Sequence, residues 1–558
     1  MAGSTTCGCG CGNITNRGPE LPRLLALYGG DIITMDPARP RTTALLAFGD
    51  RIQACGTDAE IRAAYELHRG MPGTGPAEAI DLRGRAVVPG LIDSHLHLLW
   101  YGFFLQQVDL NGTTSIDDLR RRVQGRAATV PVGQWVTGSG WQQDFLAEKR
   151  MPTRADLDAV APEHPVMLHR VCYHAVACNS LALRIGGVTR DTPDPDGGVI
   201  DRDPATGEPT GILRERAAEL VARHIPEPTP AQMVEALRLA CWRASAAGLT
   251  SVHTNDGQGE AIGAYVALRD AGQLTVRAYH DTSYPRDEVL LGLPAGFGDE
   301  WVKIGAVKLF VDGSLGARTA ALRSPYSDDP AASGVLMHTP ENLNVMVRKA
   351  HDCGRQVAVH AIGDRAVALA LDAIEAAVAA NPRADHRHRI VHAQALAPDL
   401  IPRLAQARVV VDIQPKFTTG ELFWAPDRLG PERVPYSYCW RTMLEAGVRC
   451  AGGSDCPVEP LEPLWGIYAA VTRSAMDGQR PEGWLPQEKL DPLTAVKLFT
   501  LDAAYGAFEE HIKGSLEPGK LADLVVLDRA PDRVAPHEIK DLTVEMTVVG
   551  GRTVYERG

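Results

Sequence analysis

The chain has 558 residues, enough for one large domain and a smaller companion domain. Hydrophobic residues make up 45% of it and charged residues 23%, the usual balance of a globular protein, and the formal net charge is −12. This charge, with no clustered basic patch, argues against nucleic acid or an anionic membrane as partner, so we expect a small-molecule substrate. No apolar run is long enough to span a bilayer and no secretory leader pattern is seen, so we expect a cytoplasmic protein.

The 11 cysteines form no framework of regular spacings, which fits reduced thiols. Cys7, Cys9 and Cys11 alternate with glycine and are able to hold a soft metal. No histidine or fourth cysteine follows closely, and the segment up to Glu20 has no periodicity. We therefore predict a disordered tail over residues 1–21.

Short apolar strands separated by turn residues occur near both ends of the sequence. Each set is too small to bury its own apolar face, so we expect the two to pair into one β-sandwich formed by residues 22–85 and 511–558. The predicted strands are Leu24–Leu27, Asp31–Met35, Ala44–Phe48, Arg51–Cys55, Ala522–Leu527 and Val544–Tyr555, the last including the turn Gly550-Gly551.

The main domain is predicted to span residues 86–510. It begins with a buried strand within Val87–Leu98, and residues from about 100 to 225 are predicted to form an inserted cap, followed by the helix Pro230–Ala247. Buried strands then alternate with helical stretches, and eight strands in all predict an α/β fold, a (β/α)8 TIM barrel. The seven later strands are Leu249–His253, Thr275–His280, Ala306–Val311, Gln356–Ala361, Arg389–Ala393, Val409–Gln414 and Arg449–Gly452.

Polar side chains interrupt or end these apolar strands. His95 and His97 are one residue apart, which on a strand places both imidazoles on the same side. A single histidine in an apolar strand is most often a satisfied core residue, but several buried polar groups at one end of a barrel are hard to explain by packing. We therefore predict a metal site at that end. Its candidate residues are His95, His97, Lys308, His360, His392 and Asp455.

The ordered set of stretches around these residues resembles the amidohydrolase superfamily of metal-dependent hydrolases. It is most similar to the amidohydrolase-3, YtcJ-like branch, which includes N-substituted formamide deformylases. The stretches that carry the resemblance are Pro89–His97, Val307–Ala320, Val359–Ala366, Val391–Gln394, Gly453–Pro457 and Gly514–Leu524.

The resemblance implies the same barrel with a composite sandwich, and a divalent metal, usually zinc, with one or two ions per chain. It assigns the ligands to His95, His97, His360, His392 and Asp455. Lys308 matches a position that is often carbamylated, which turns a repelling cation into an anionic ligand that bridges two metals. An unmodified Lys308 favours one metal and leaves the amine to orient substrate.

The expected reaction is hydrolysis of an amide-type C–N bond, of the formamide or N-acyl amine class. In this hypothesis a metal-activated hydroxide attacks the carbonyl, and Asp455 acts as general base and then as general acid. His360 or His392 polarises the carbonyl and stabilises the oxyanion. Lys308 completes the predicted catalytic set.

Three further residues are candidates for substrate binding. In the family pattern His174 reaches the site from the inserted segment, although a structural role is an equal alternative. Arg318 is placed to hold a polar group of the substrate or to pair with Asp312. Trp141 is a candidate wall of an apolar pocket, with core packing as the alternative.

Other functions remain open. A deaminase on the same barrel is weaker, because the His-x-x-Glu pairing of such enzymes is missing: Ala361-Ile362-Gly363 follow His360, and Ala393-Gln394-Ala395 follow His392. Hydrolysis of a carbamate, urea or ester is a second alternative, and a non-catalytic metal-binding scaffold is a third. A homodimer is expected only by analogy with other barrels.

Overall fold

The computed structural model describes residues 21–171, 174–256 and 260–558. The predicted tail with Cys7, Cys9 and Cys11 lies outside these ranges. The described residues divide into two compact units. The first contains residues 21–96, 242–256 and 275–558, and the second contains residues 97–171, 174–241 and 260–274.

The centre of the first unit is a sheet of eight strands in which every hydrogen-bonded neighbour is parallel. Its strands follow one another in sequence order, which confirms the predicted barrel topology. Between the last and the first strand, the Asp455 backbone N–H donates to the His95 carbonyl at 2.8 Å. The strands are β1 (Leu91–Leu96), β2 (Leu249–Thr254), β3 (Arg277–Ser283), β4 (Val302–Phe310), β5 (Val357–Ala361), β6 (Arg389–His392), β7 (Val410–Ile413) and β8 (Arg449–Gly452).

The barrel strands are buried along most of their length, as expected for a parallel sheet covered on both faces. Small and branched side chains fill the interior, for example Ala306, Ala358 and Val391, which form one contact cluster. The register places Phe310 beside His360 and Ala361 beside His392. Polar side chains of β4, β5 and β6 therefore meet at the carboxyl end of the barrel.

Helices follow most barrel strands. Pro340–Asp352 shows the sequence signals for such a helix: Thr339 caps its first turn by accepting from the Asn342 N–H, and Gly354 follows its end with φ +76°. The helices of the first unit are Asp58–Arg69, Pro340–Asp352, Asp364–Ala380, Leu400–Gln406, Thr418–Glu421, Ala425–Leu429, Trp440–Glu445, Pro463–Thr472, Pro492–Leu498 and Leu501–Gly506, and Pro230–Ala246 crosses the boundary between the units.

The two ends of the chain form the predicted β-sandwich. Side chains of both sheets share one core, including Leu25, Ile32 and Val526. One sheet has the order Arg51–Gly56, Ala44–Phe48, Leu24–Tyr28, Ala77–Asp81. The other has the order Arg552–Glu556, Val544–Val549, Leu524–Leu527, Ala86–Pro89, Asp31–Ile33, Arg41–Thr42.

The structure corrects one boundary of the sandwich. We assigned the stretch from Val87 to Pro89 to the first barrel strand, but Ala86–Pro89 pairs with Leu524–Leu527 and Asp31–Ile33 in the sandwich. The chain passes from the sandwich to the barrel at Gly90. A Cβ there would lie 2.2 Å from Thr250 Oγ1, so only glycine fits.

Most of the second unit is formed by the chain between β1 and β2, where the cap was predicted. Trp141 ends the strand Val136–Trp141, and two further strands, Gly198–Arg202 and Pro209–Glu215, lie later in the inserted segment. Its sheet has the order Gly198–Arg202, Pro209–Glu215, Ala175–Cys178, Val166–Arg170, Val136–Trp141, Val108–Asp109, and its helices are Leu98–Gln106, Ile116–Ala127, Arg154–Asp158, Ser180–Ile185, Glu219–Ala222 and Glu260–Asp270. Within the described ranges, no helix combines the length and apolar character needed to cross a membrane.

Candidate metal centre

Three of the predicted ligands come together at the carboxyl end of the barrel. His95, His97 and Asp455 each offer one ligand atom, and these atoms all lie within 4.8 Å of one another. His95 Nε2 is 3.3 Å from Asp455 Oδ1, and the His95 side chain is 1% exposed. Two imidazoles and a carboxylate at this spacing are a donor set of the kind that zinc prefers.

The chain conformation explains how these ligands converge. His95 belongs to β1, whereas His97 lies one residue beyond its end and precedes the helix Leu98–Gln106. The His97 ring stacks on the Trp100 indole at 4.9 Å, which fixes its plane. Asp455 has a left-handed backbone with φ 60°, a conformation that is rare outside glycine and recurs at functional sites.

Asp93 ties β1 to the segment that carries Asp455. Its buried carboxylate accepts the His95 N–H at 3.0 Å and the Ser454 N–H at 3.1 Å. Burial raises the pKa of Asp93 to about 7, although these hydrogen bonds act in the opposite direction. Asp93 therefore fixes the separation between His95 and Asp455.

Lys308 on β4 lies against the same group. Its Nζ is 3.3 Å from His95 Nε2 and 5.0 Å from the centre of the Phe310 ring, and the residue is 1% exposed. Burial lowers the pKa of the Lys308 ammonium to about 8, while the Asp455 and Asp281 carboxylates act in the opposite direction. An amine buried among candidate metal ligands is difficult to explain as ordinary packing.

His360 and His392 are adjacent to these residues but outside the three-residue ligand group. Their rings make an edge contact at 4.5 Å, and the His392 ring lies 5.6 Å from that of His95. His360 Nε2 donates to the Gly313 carbonyl at 3.1 Å, which leaves Nδ1 as its ligand atom. Burial lowers the pKa of His360 well below its ordinary value, and the neighbouring His392 acts in the same direction.

Gln414, which the sequence analysis did not select, holds His392. Its Oε1 accepts from His392 Nδ1 at 2.7 Å, and its Nε2 donates to the Asp412 carbonyl at 3.0 Å. The second hydrogen bond fixes which end of the amide faces the imidazole. His392 therefore keeps its proton on Nδ1 and presents Nε2 as a ligand atom.

Arg389, also missed, lies fully buried beneath the site. Its guanidinium donates to Asp412 Oδ2 at 2.7 Å, to Asp281 Oδ2 at 3.2 Å and to the Ser94 carbonyl at 2.7 Å. These contacts connect β1, β3, β6 and β7. A charged residue inside an apolar strand was the available sequence signal, the same one that identified His360 and His392.

The three candidate substrate-binding residues lie in different surroundings. His174 belongs to the second unit, and its 70% exposed side chain pairs with Glu215 at 3.0 Å. Trp141 is fully buried in the core of that unit and donates to the Leu168 carbonyl, which matches the core-packing alternative. A substrate-binding role for each of these residues stays a prediction.

Arg318 pairs with Asp328 at 2.7 Å, so the alternative pairing with Asp312 was wrong. The Asp312 carboxylate instead accepts the backbone N–H groups of Ala321, Ile362 and Gly363. These three bonds occupy both of its oxygens. A substrate-binding role for Arg318 also stays a prediction.

A family model described as the amidohydrolase family matches residues 78–555. YtcJ of Bacillus subtilis (strain 168) is 38% identical over 541 residues, covering 95% of this chain and 99% of that protein. The N-substituted formamide deformylase of Arthrobacter pascens is 30% identical over 557 residues, covering 96% of this chain and 99% of that protein.

A solved structure supports the same assignment. An uncharacterized metal-dependent hydrolase from Pyrococcus horikoshii OT3 superposes with a TM-score of 0.76 at 31% sequence identity, covering 92% of this chain and 99% of that one. The family match spans most of the sequence, including the barrel and the C-terminal part of the sandwich. The chain belongs to the amidohydrolase family.

Proposed function

We propose that this protein hydrolyses an amide-type C–N bond of formamides or other N-acyl amines, and that a divalent metal, with zinc the preferred ion, is required. The observation that carries the proposal is the convergence of His95, His97 and Asp455 at the carboxyl end of the barrel. Within the family, the similarity to an N-substituted formamide deformylase favours an amide over a carbamate, urea or ester.

The donor set fits a divalent ion. His95, His97 and Asp455 supply two nitrogen atoms and one oxygen atom at close spacing, and three protein ligands with an open position are typical of catalytic zinc. When bound, the ion supplies Lewis acidity and lowers the pKa of a coordinated water. His360 Nδ1 and His392 Nε2 are the next available donors in the cluster.

The chain's own residues account for the proton transfers in this proposal. The Asp455 carboxylate lies 3.3 Å from His95 Nε2, where it is placed to accept a proton from the attacking water. The protonated carboxyl then donates that proton to the departing amine nitrogen. His360 and His392 already donate their N–H groups to the Gly313 carbonyl and to Gln414 Oε1, so in this proposal they would hold the ion and would not donate to the substrate carbonyl.

Lys308 determines how many ions the site holds. As a carbamate it would offer two oxygen ligands next to His95, which favours two ions. As an amine it would leave one ion and would be free to orient substrate.

The test is a panel of N-alkylformamides, N-acyl amines, aryl carbamates, aryl ureas and aryl esters, each measured with added zinc and again after chelation. We expect chelator-sensitive turnover on the formamides or N-acyl amines. Turnover on carbamates, ureas or esters alone would contradict the amide proposal. Turnover that persists after complete removal of the metal would contradict the metal requirement.

Asp455→Asn tests the role of the carboxylate. The amide keeps the size of the side chain but is a poor base, so we expect kcat to fall by at least about 100-fold. Asp477→Asn, at an exposed position of the same unit, is the matched control and should retain wild-type kcat. Near-normal turnover by the Asp455 variant would disprove the assigned role.

A further inference from the structure

A second polar cluster lies beside the metal centre and has no part in the chemistry proposed above. It consists of Gln394, Glu421 and Tyr438, which we call the acceptor cluster. Gln394 is two residues beyond His392, and Glu421 ends the short helix Thr418–Glu421 that follows β7. All three residues belong to the first unit.

One oxygen of the Glu421 carboxylate is held by the other two side chains. The Tyr438 hydroxyl donates to Glu421 Oε2, and Gln394 Nε2 lies 3.4 Å from the same atom. Tyr438 is itself fixed, because its N–H donates to the Gln394 carbonyl at 2.8 Å and Arg473 donates to its carbonyl at 3.1 Å. The tyrosine is 1% exposed. The carboxylate therefore has a defined orientation.

The remaining oxygens of the cluster are not used. Among the described residues, no donor contacts Gln394 Oε1 or Glu421 Oε1, although Gln394 is 4% exposed as a residue. Neither oxygen is completely enclosed by protein atoms, so both keep some accessible surface. Gln394 Oε1 lies on a buried side chain and Glu421 Oε1 on a half-buried one, and together they offer two acceptors to a hydrogen-bond donor.

The charge of Glu421 is also uncompensated. Within the described ranges, no lysine or arginine forms an ion pair with it. Lys416, on the same segment, is used by Glu459 and Thr419, each at 2.9 Å. Burial raises the pKa of Glu421 to about 7, the nearby Glu459 acts in the same direction, and Tyr438 opposes them. A cationic ligand would supply the missing counter-charge.

The cluster is close along the chain to His392 and to Phe417, whose rings contact each other. His392 and Ala393 have φ values of 82° and 47°, so two consecutive left-handed residues redirect the chain before Gln394. Phe417, four residues before Glu421, is nearly parallel to the His392 ring at 6.2 Å. A substrate whose carbonyl lies at His392 would extend its amine portion toward the acceptor cluster.

We propose that Gln394 Oε1 and Glu421 Oε1 bind an ammonium group on the amine portion of the substrate, so that the preferred substrates are N-acylated diamines. This inference rests on the proposed function. Tyr438 is a positioning residue, because it orients the Glu421 carboxylate without contacting the ligand.

The test compares N-(3-aminopropyl)formamide with N-butylformamide, in which a methyl group replaces the ammonium, at about pH 8. We expect the wild type to prefer the cationic amide by at least about tenfold in kcat/KM, the size of a charge-assisted hydrogen bond. In Glu421→Gln the ratio should fall to near one, with the zinc content unchanged. Glu445→Gln, on an exposed helix position of the same unit, should keep the wild-type ratio.

A binding measurement separates this inference from the hydrolytic function. Calorimetry of metal-free protein with propane-1,3-diamine and with butylamine should show about tenfold weaker diamine binding for Glu421→Gln than for the wild type. If the wild type hydrolyses neither amide, the proposed function fails for formamides and this binding difference alone decides the inference. A wild type without cation preference, a preference retained by Glu421→Gln, or equal diamine binding by both proteins would each overturn it. If Glu421→Gln does not fold, Gln394→Leu replaces it in both measurements, with the same expectations.

Discussion

Replacing Gln414 with methionine tests whether the hydrogen bond to His392 prepares the metal centre. Methionine keeps the approximate size and flexibility of the side chain but removes the acceptor that lies 2.7 Å from His392 Nδ1. It also removes the donor to the Asp412 carbonyl. His392 would then lose the contact that fixes its tautomer, while its ring contacts with His360 and Phe417 remain.

The size of the effect follows from these contacts. Loss of a partner that orients a metal ligand typically weakens metal affinity by 10- to 100-fold, or about 1.4 to 2.8 kcal/mol. His392 is one donor among several and keeps its contacts with the His360 and Phe417 rings, so we expect the lower limit, about tenfold. The unsatisfied Nδ1–H is present with and without metal, so its desolvation cost largely cancels from the affinity and lowers the free energy of unfolding instead.

The assay is competition for zinc against a chelating indicator, at one pH and ionic strength. Gln356→Met is the matched control, because Gln356 is a second buried glutamine that accepts from the Tyr279 hydroxyl at 3.1 Å and donates to the Gly506 carbonyl at 2.9 Å. It precedes β5, at the opposite end from the metal centre. We expect the control to lose stability but keep its zinc affinity. Unchanged zinc binding by Gln414→Met, or equal weakening of both variants, would refute the reasoning.

Three further predictions concern Lys308, Arg389 and His386. Intact-mass measurement should show that carbon dioxide adds the mass of one CO2 to the wild type and none to Lys308→Met. The same mass increase in both proteins, or none in either, would favour the one-ion site. Arg389→Met leaves the buried carboxylates of Asp281 and Asp412 without their partner and should lower the free energy of unfolding by about 3 to 5 kcal/mol. Arg348→Met, in an exposed ion pair, is the control and should lower it by less than about 1 kcal/mol. Similar losses in the two variants would contradict this account. Burial lowers the pKa of His386 from 6.5 to about 4, so as the pH falls the unfolded chain binds the proton before the folded one. The free energy of unfolding should therefore fall by on the order of 3 kcal/mol from pH 6.5 to pH 4. Denaturant titrations should show a smaller fall for His386→Asn, and an equal fall would exclude His386 as its source.

The sequence predicted the barrel because each strand is a short apolar run bounded by turns, and because the polar interruptions recur at the strand ends. It did not predict the pairing of Ala86–Pro89, since an apolar run does not specify which sheet it joins. Proline and glycine at 89 and 90 were read as part of one strand, but they mark the passage from the sandwich to the barrel. The local pattern of apolar residues predicts that a segment is a strand more reliably than it predicts which strands it pairs with.

Part of the candidate site was predicted, because polar residues that interrupt apolar strands are recognisable in the sequence. The candidate ligands are recognisable because histidine is unusual within an apolar strand. Gln414 follows its strand and carries no titratable group, so the sequence did not identify it as a site residue. Arg318 shows a different limit: its partner Asp328 is ten residues away in the connection between β4 and the helix Pro340–Asp352, and nothing in the spacing favours it over Asp312. Trp141 lies in a core strand, and nothing in the surrounding sequence distinguishes that position from the wall of a pocket.

The sandwich sheet joins strands that a ribosome makes at very different times. Ala86–Pro89 pairs with Asp31–Ile33, which is synthesised before it, but its other neighbour, Leu524–Leu527, is synthesised more than 400 residues later. At 5 to 20 residues per second, this edge stays unpaired for roughly 20 to 90 s. During this time the unpaired edge of Ala86–Pro89 is able to pair with strands of other chains. Folding in the cell therefore depends on protecting this edge until Leu524–Leu527 has been synthesised.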